Sequence, residues 1–472
     1  MEAPSMTRPP WWPLPALVAL TFFFFWPTLE FTAFSDDHSA LWNSGVRGIP
    51  WRNGFFRPLS DITFRIGYLA HGSDTGCHRA FNVVVHGFNA FLLFALFIRN
   101  SPQIGDRERT FGALAASLLF ILYPFHQESI VWLVGRESSL GTFFVLLGLL
   151  MVSGTLPRAF RIVALANCVV LGALCYESAL LLFPLALLVV WTARSYSTLT
   201  KREALIALAC GATAYLVLRS ALVGWSSEAY VTGFLTQTPL SLVYHIPKAM
   251  ARLFLPPDPD PQAQLLKGAL LLAGLLVGIV ALVRTAQRSG RRSDAAFIWI
   301  GLLSISCSIP ALAGVSTATS ESDRFLYMPS AFLCGLIGFT FQRISSVAIR
   351  RAVWLLLAML SFHFLKADHK NWEQASMITR QIMERLPEAP EHGRLFVADL
   401  PDNLSGAFIF RNGFTEAVFL DGRNGDRYIP VPFAAEQHPA AFNFRDRTIV
   451  PMEHDQWIHW TDGVFKADRT DR

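Results

Sequence analysis

The chain has 472 residues, of which 52% are hydrophobic and only 16% charged, with 39 Phe and a mean hydropathy of +0.37. A water-soluble domain carries about 25% charged residues, so this balance excludes one and implies an integral membrane protein. The net charge of +5 is carried largely by short loops between apolar runs, which argues for orientation in a bilayer and not for nucleic acid.

Apolar runs near the ~20 residues needed to cross hydrocarbon fall at roughly 11–30, 80–98, 111–125, 130–152, 159–175, 178–193, 204–223, 265–283, 296–313, 326–342 and 352–366. The expected fold is therefore an α-helical polytopic membrane protein of about eleven transmembrane helices. The first run follows Arg8 and ends Phe22-Phe23-Phe24-Phe25-Trp26. No convincing small-x-small cleavage site follows it, so it reads as an uncleaved helix.

A long first outer loop, 31–79, comes next and opens with the adjacent carboxylates Asp36 and Asp37. Beside a bilayer such a pair can supply a general base or hold a divalent cation. Trp42, Trp51, Phe55, Phe56 and Tyr68 suit a segment resting on the membrane surface. Leu59, Ile62, Ile66 and Leu69 recur at helical spacing and predict a half-buried interfacial helix over 59–70.

Pro124-Phe125-His126-Gln127-Glu128 and Gly135-Arg136-Glu137 follow. His126 and Glu128 are expected on an outer turn, and Arg136 and Glu137 about two helical turns into the span, where ionisable groups usually face a cavity or a partner. Tyr176-Glu177 forms a further outer tip, Arg219 ends a span, and Glu321-Ser322-Asp323-Arg324 opens another before Tyr327. Arginine suits a lipid phosphate because its planar fork binds two oxygens and stays charged.

Sidedness follows from the basic residues. Arg99, Arg107 and Arg109; Arg158 and Arg161; Arg194, Lys201 and Arg202; Arg284 to Arg292; and Arg343 to Arg351 fall in alternate loops, which marks those loops as cytoplasmic. Parity then makes the apolar stretch 240–255 re-entrant or interfacial. The amino terminus is expected inside, with the first loop and the tail outside. Of six cysteines only Cys77 lies in an outer loop, so no disulfide framework or zinc site is implied.

Residues 1–366 are thus expected to form the membrane domain, and 367–472 a small extracytoplasmic β-containing domain. Leu395-Phe396-Val397-Ala398 and Ala407-Phe408-Ile409-Phe410 read as strands, with hairpin signals at Asn412-Gly413 and Asp421-Gly422.

Taken in order, these motifs resemble a glycosyltransferase of the GT-C superfamily, near the protein O-mannosyltransferases and the related family that carries tetratricopeptide repeats. The acidic pair resembles the family's first-loop motif. Arg57-Pro58-Leu59 with His78-Arg79-Ala80-Phe81-Asn82 and His86, Tyr123-Pro124-Phe125-His126-Gln127-Glu128 with Val134-Gly135-Arg136-Glu137, and Asp323-Arg324-Phe325-Leu326-Tyr327-Met328-Pro329-Ser330 are similar to its later motifs. Tyr176 stands where the family has Lys before Glu177, and the tail shows no tetratricopeptide pattern.

The resemblance implies an inverting enzyme that takes a mannose-like hexose or pentose from a polyprenyl-phosphate donor to a hydroxyl on a protein, glycolipid or polysaccharide. It implies Asp36 or Asp37 as general base, a group that contributes roughly 10²–10⁴-fold. Arg324, then Arg136 and Arg219, are the expected phosphate partners. Arg57, His126, Glu128, Glu137, Glu177, Glu321 and Tyr327 are expected to support sugar or acceptor, or the structure around them. No cofactor is implied beyond a divalent cation that the acidic pair could hold. With no retention signal at the end of the chain, a bacterial inner membrane with a periplasmic site is expected. The rival readings are a transporter or flippase of lipid-linked sugars, for which midplane charges and repeated broken helices are missing, and a scaffold, for which so many spans are excessive.

Overall fold

The computed structural model describes residues 10–48, 55–100, 105–154, 156–192, 199–223, 239–256, 293–315, 320–344, 346–431, 442–444, 447–449, 452 and 454–467. Seven helical segments among them are long and apolar enough to cross a membrane: Pro13–Glu30, Thr75–Asn100, Arg158–Cys175, Lys201–Leu222, Ala295–Leu312, Ser322–Phe341 and Val347–Arg385. The pair Asp106–Ile121 and Pro124–Ile130, bent by 60°, makes an eighth if it is one broken span. The helix Arg136–Val152 packs against Thr75–Asn100, Arg158–Cys175 and Leu182–Thr192. The stretch 265–283 lies outside the described residues.

The run expected to cross from 130 begins its helix only at Arg136. Residues 124–135 instead form a short 3-10 turn, Pro124–His126, and a one-turn helix, Gln127–Ile130, before a tight loop. Gly135 packs so closely on this loop that a Cβ there would overlap the Glu128 carbonyl oxygen. Arg136 and Glu137 therefore start a helix at the same end of the bundle as His126 and Glu128, not two turns inside it.

Helix Pro58–His71 forms where the periodicity places it, although its buried residues are Ser60, Asp61 and Phe64. Ile62, Ile66 and Leu69 make an exposed apolar stripe, the surface an interfacial helix turns toward lipid.

Helix Val347–Arg385 has 39 residues, a length of about 58 Å against a hydrocarbon core of about 30 Å. The helix is continuous through residue 366. The Ser346 hydroxyl accepts the Ile349 N–H at its start, and its far half buries Leu365, His369, Trp372, Ser376, Thr379 and Ile382 on one face.

Beyond it the strands are β1 (Leu395–Ala398), β2 (Asn403–Leu404), β3 (Ala407–Phe408), β4 (Tyr428–Pro430), β5 (Phe442–Phe444), β6 (Arg447–Ile449), β7 (Gln456–Thr461) and β8 (Val464–Ala467). The main sheet runs β4-β1-β7-β8. β1 is parallel to β4 and β7, and β7 pairs with β8 as a hairpin.

Asn412-Gly413 and Asp421-Gly422 are not hairpin turns. They bracket the helix Phe414–Leu420, with Gly413 at φ 78° before it and Gly422 at φ 84° after it. Parallel strands need a crossover and not a tight turn, and this helix, burying Phe414, Ala417 and Val418, lies within the crossover from β1 to β4.

Candidate active site

The acidic pair stands on a turn that three other segments hold. After the 3-10 turn Trp26–Glu30, residues Phe34 to Asp37 close a tight turn in which the Asp37 N–H donates to the Phe34 carbonyl at 2.8 Å. Ser35 occupies φ 45°, ψ −118°, near the first central position of a type II′ turn. Asp36 follows at the tip and is half-buried, whereas Asp37 is fully buried.

The two neighbours thus differ in environment. Asp37 Oδ2 accepts the Phe34 N–H at 3.1 Å and Oδ1 the Val134 N–H at 3.0 Å. Burial pushes its carboxyl up to about 7, against the pull of those N–H groups and of the nearby Arg79 guanidinium. The Asp37 carboxylate thus ties the turn to the 124–135 segment, whereas that of Asp36 is only partly buried.

Arg79, in the first turns of helix Thr75–Asn100, serves the same scaffold. Its guanidinium donates to the carbonyls of Thr28 at 2.9 Å, Phe31 at 2.8 Å, Thr32 at 3.0 Å and Val131 at 2.7 Å. Asn82, one turn on, donates to Ile130 O at 3.1 Å and Trp132 O at 3.3 Å. These irregular segments present carbonyls that no helix satisfies, and buried carbonyls need donors. Neither residue was among the expected site residues, although both fall in the His78-Arg79-Ala80-Phe81-Asn82 motif.

Trp132 links the turn to the expected phosphate partner. Its indole N–H reaches the Phe34 carbonyl at 3.3 Å, and the Arg324 guanidinium lies 5.3 Å from its ring centroid. Arg324 pairs with Glu128 through its side chain and, at 2.9 Å, through its backbone N–H, and its side chain remains 20% exposed. Asp323 beside it forms a buried pair with Arg252 at 2.6 Å.

Arg136 does not occupy a comparable place. It is buried beneath Phe64, 3.9 Å from the ring centroid, and donates to His78 O at 2.9 Å and Leu133 O at 3.2 Å. At the start of its helix it thus bonds backbone carbonyls, as Arg79 does. His126 and Tyr327 are likewise fully buried. His126 bonds the Ser330 hydroxyl at 2.7 Å, and the Tyr327 hydroxyl bonds His86 at 2.7 Å and Asn89 at 3.1 Å.

A second cluster joins Arg57 to Glu137 and, at 2.8 Å, to Glu177, with Arg219 at 3.9 Å from Glu177. Glu177 keeps 31% exposure. Arg57 lies 4.5 Å from the Tyr176 ring, and Tyr176 is 6.0 Å from Phe325, the residue after Arg324. Glu321 falls in the 3-10 helix Ser320–Leu326, its side chain outside the described atoms. Among the described residues no three His, Cys, Asp or Glu side chains converge as a metal site.

On the tail side, a cavity of about 350 Å³ is lined by His38, Thr75, Arg380, Glu384, Asp421 and Arg423, among others. Burial lowers His38 to about 4, which keeps its imidazole neutral at physiological pH.

No family model matches the chain. Over 374 residues it is 23% identical to the protein O-mannosyl-transferase TMTC3 of Homo sapiens, covering 69% of this chain and 40% of that protein. It is 30% identical over 122 residues to TMTC4 of Mus musculus, covering 24% and 16%. The chain thus spans less than half the length of these curated relatives. In fold it matches the crystal structure of ArnT from Cupriavidus metallidurans in the apo state, with a TM-score of 0.52, 13% identity, and coverage of 88% of this chain and 89% of that one. The chain is thus a helical membrane protein that shares its fold with ArnT and is similar in sequence to the protein O-mannosyl-transferases.

Proposed function

We propose that this GT-C-like, O-mannosyl-transferase-like chain is an inverting glycosyltransferase that moves a sugar from a polyprenyl phosphate to an acceptor hydroxyl at the outer face of a membrane. The observation that carries this reading is the half-buried Asp36 at the tip of a clamped turn, with Trp132 touching both that turn and Arg324. A proton acceptor and a cation are thereby held on one small framework. Such fixed placement is what a displacement between an alcohol and a phosphate ester requires.

In this mechanism Asp36 takes the acceptor proton as the acceptor oxygen attacks the anomeric carbon. The bond from that carbon to the phosphate oxygen breaks on the opposite side, and the lipid phosphate leaves with the electron pair. One displacement inverts the centre. The leaving group is already an anion, so it needs charge stabilisation more than a proton, and Arg324 supplies this. Asp37 and Arg79 keep the turn in place. The Arg57, Glu137, Glu177 and Arg219 cluster borders the same end of the bundle, linked through Tyr176 and Phe325, and suits the sugar or a second contact to phosphate.

The cavity beside His38 suits a hydroxyl-bearing acceptor, since its lining mixes two guanidinium groups, two carboxylates and a neutral imidazole. With basic loops facing the cytoplasm, the site and the tail face the periplasm of a bacterial inner membrane.

The test uses purified protein in nanodiscs with radiolabelled polyprenyl-phosphate mannose, glucose and arabinose and a membrane extract as acceptor source. Label transfer with release of polyprenyl phosphate, abolished in Asp36→Asn, supports the reading. Absence of transfer with every donor, in extract shown to hold competent acceptors, rejects it and favours transport of lipid-linked sugars.

A further inference from the structure

We infer that the tail segment Ile409 to Gly413 is a positioning element for Asp36: it holds Ser35 in the left-handed conformation that directs the Asp36 carboxylate. This rests on the transferase reading above and makes the tail part of the catalytic apparatus.

Ser35 at φ 45°, ψ −118° is in a region that residues with a Cβ rarely adopt and that persists only where the surroundings over-determine it. Here they do so from both sides. The Ser35 N–H donates to Ile409 O at 2.8 Å, and the Ser35 hydroxyl accepts the Asn412 N–H at 3.1 Å. Glycine would adopt this conformation without strain but would lack the hydroxyl that receives Asn412.

The gripping segment is itself fixed. Ile409 and Phe410 donate their N–H groups to Asp402 O and Pro401 O, each at 3.0 Å. Gly413 stands at φ 78°, and a Cβ there would overlap the Ser35 carbonyl oxygen. No other residue type allows so close an approach at that backbone angle.

Aromatic packing spreads the contact. Phe410 stacks on His38 at 5.7 Å, Phe408 lies 4.9 Å from Trp132, and Trp372 lies 5.0 Å from Phe34. The Thr32 N–H also donates to the Ser376 hydroxyl at 2.9 Å. Residues on both sides of Asp36 are thus held by the tail and by the helix that carries it. A tail that served only to recognise acceptors would not need to constrain the backbone of the residue preceding the base.

The experiment compares full-length wild type, Asp36→Asn, Gly413→Ala, Ser35→Ala and the double variant Gly413→Ala with Asp36→Asn in nanodiscs. Measured quantities are kcat, donor KM, binding of polyprenyl phosphate, and hydrogen exchange of residues 34–38. Gly413→Ala is expected to lower kcat about 30-fold or more, leave donor KM and lipid-phosphate binding within about twofold, and raise exchange at 34–38. Ser35→Ala, which removes one hydrogen bond, is expected to lower kcat about 3- to 10-fold. Asp36→Asn should cost far less in the Gly413→Ala background than alone, because a misplaced base has little left to lose.

Unchanged kcat in Gly413→Ala, or an Asp36→Asn penalty that is fully additive with it, would overturn the inference. If Gly413→Ala does not fold, Ser35→Ala decides by the same criteria. Wild type inactive with every donor overturns the transferase reading and, with it, the catalytic role of the contact, while the exchange data report separately on whether the tail holds the turn.

Discussion

Two arginine-rich regions at the same end of the bundle satisfy their charges in opposite ways. Around the Asp36 turn, Arg79 and Arg136 are buried and donate chiefly to backbone carbonyls. In the second region Arg57 and Arg219 meet Glu137 and Glu177 side chain to side chain, and Glu177 stays partly exposed. A guanidinium that completes the backbone is scaffold, because removing it leaves several carbonyls without donors. One that meets carboxylates at a partly wet surface can exchange a partner for a phosphate at modest cost. Arg324 is of the second kind: it meets the carboxylate of Glu128, which is buried, and its own side chain is 20% exposed.

The comparison breaks most easily at the turn. Asp36→Asn is expected to lower kcat by about 10²–10⁴-fold while thermal unfolding of the purified protein stays within a few degrees of wild type. Arg79→Gln should instead act on stability, costing about 1–3 kcal/mol for each buried carbonyl left without a donor, visible as a large drop in unfolding temperature or failure to be recovered folded. Equal loss of stability in Arg57→Gln would erase the distinction between the two regions.

Smaller effects sharpen it. Arg324→Gln should raise donor KM about 10- to 100-fold, the cost of about 1.5–3 kcal/mol for a charge-assisted bond to phosphate, read by lipid-phosphate competition. Asp37 adds a pH dependence. Its carboxyl, raised to about 7 by burial, gains a proton as pH falls, and one oxygen that accepted an N–H then becomes a hydroxyl. Transfer should therefore fall as pH drops through about 7 and level off above it, and Asp37→Asn should remove that limb from the pH–rate profile. Arg219→Gln, distant from Glu177 at 3.9 Å, should change kcat or KM only a few-fold.

Much of this arrangement is legible in the amino-acid order. Long apolar runs announce the spans, and the polar motifs fall between them in an order that identifies the fold. The acidic pair stands out because two adjacent carboxylates follow an apolar helix. Other features are set by contacts far apart in the chain. The run Ile130-Val131-Trp132-Leu133-Val134 has the composition of a span but folds as an irregular segment, since Arg79, Asn82 and Asp37 supply its hydrogen bonds. Nothing local to Arg136 reveals that its helix starts there. The Asn412-Gly413 pair carries the signature of a hairpin, and only the parallel pairing of β1 with β4 turns it into a helix start. Ser35 gives no sign in sequence of its contact with Asn412, 377 residues away.

The most direct test is the single-turnover rate of sugar transfer for wild type, Asp36→Asn and Asp37→Asn between pH 6 and 9 with saturating donor. A low, pH-independent rate in Asp36→Asn beside a moderately reduced rate without the limb near pH 7 in Asp37→Asn is the predicted result. A near-wild-type rate in Asp36→Asn, with the chemistry abolished in Asp37→Asn alone, would contradict the division of labour between the two carboxylates.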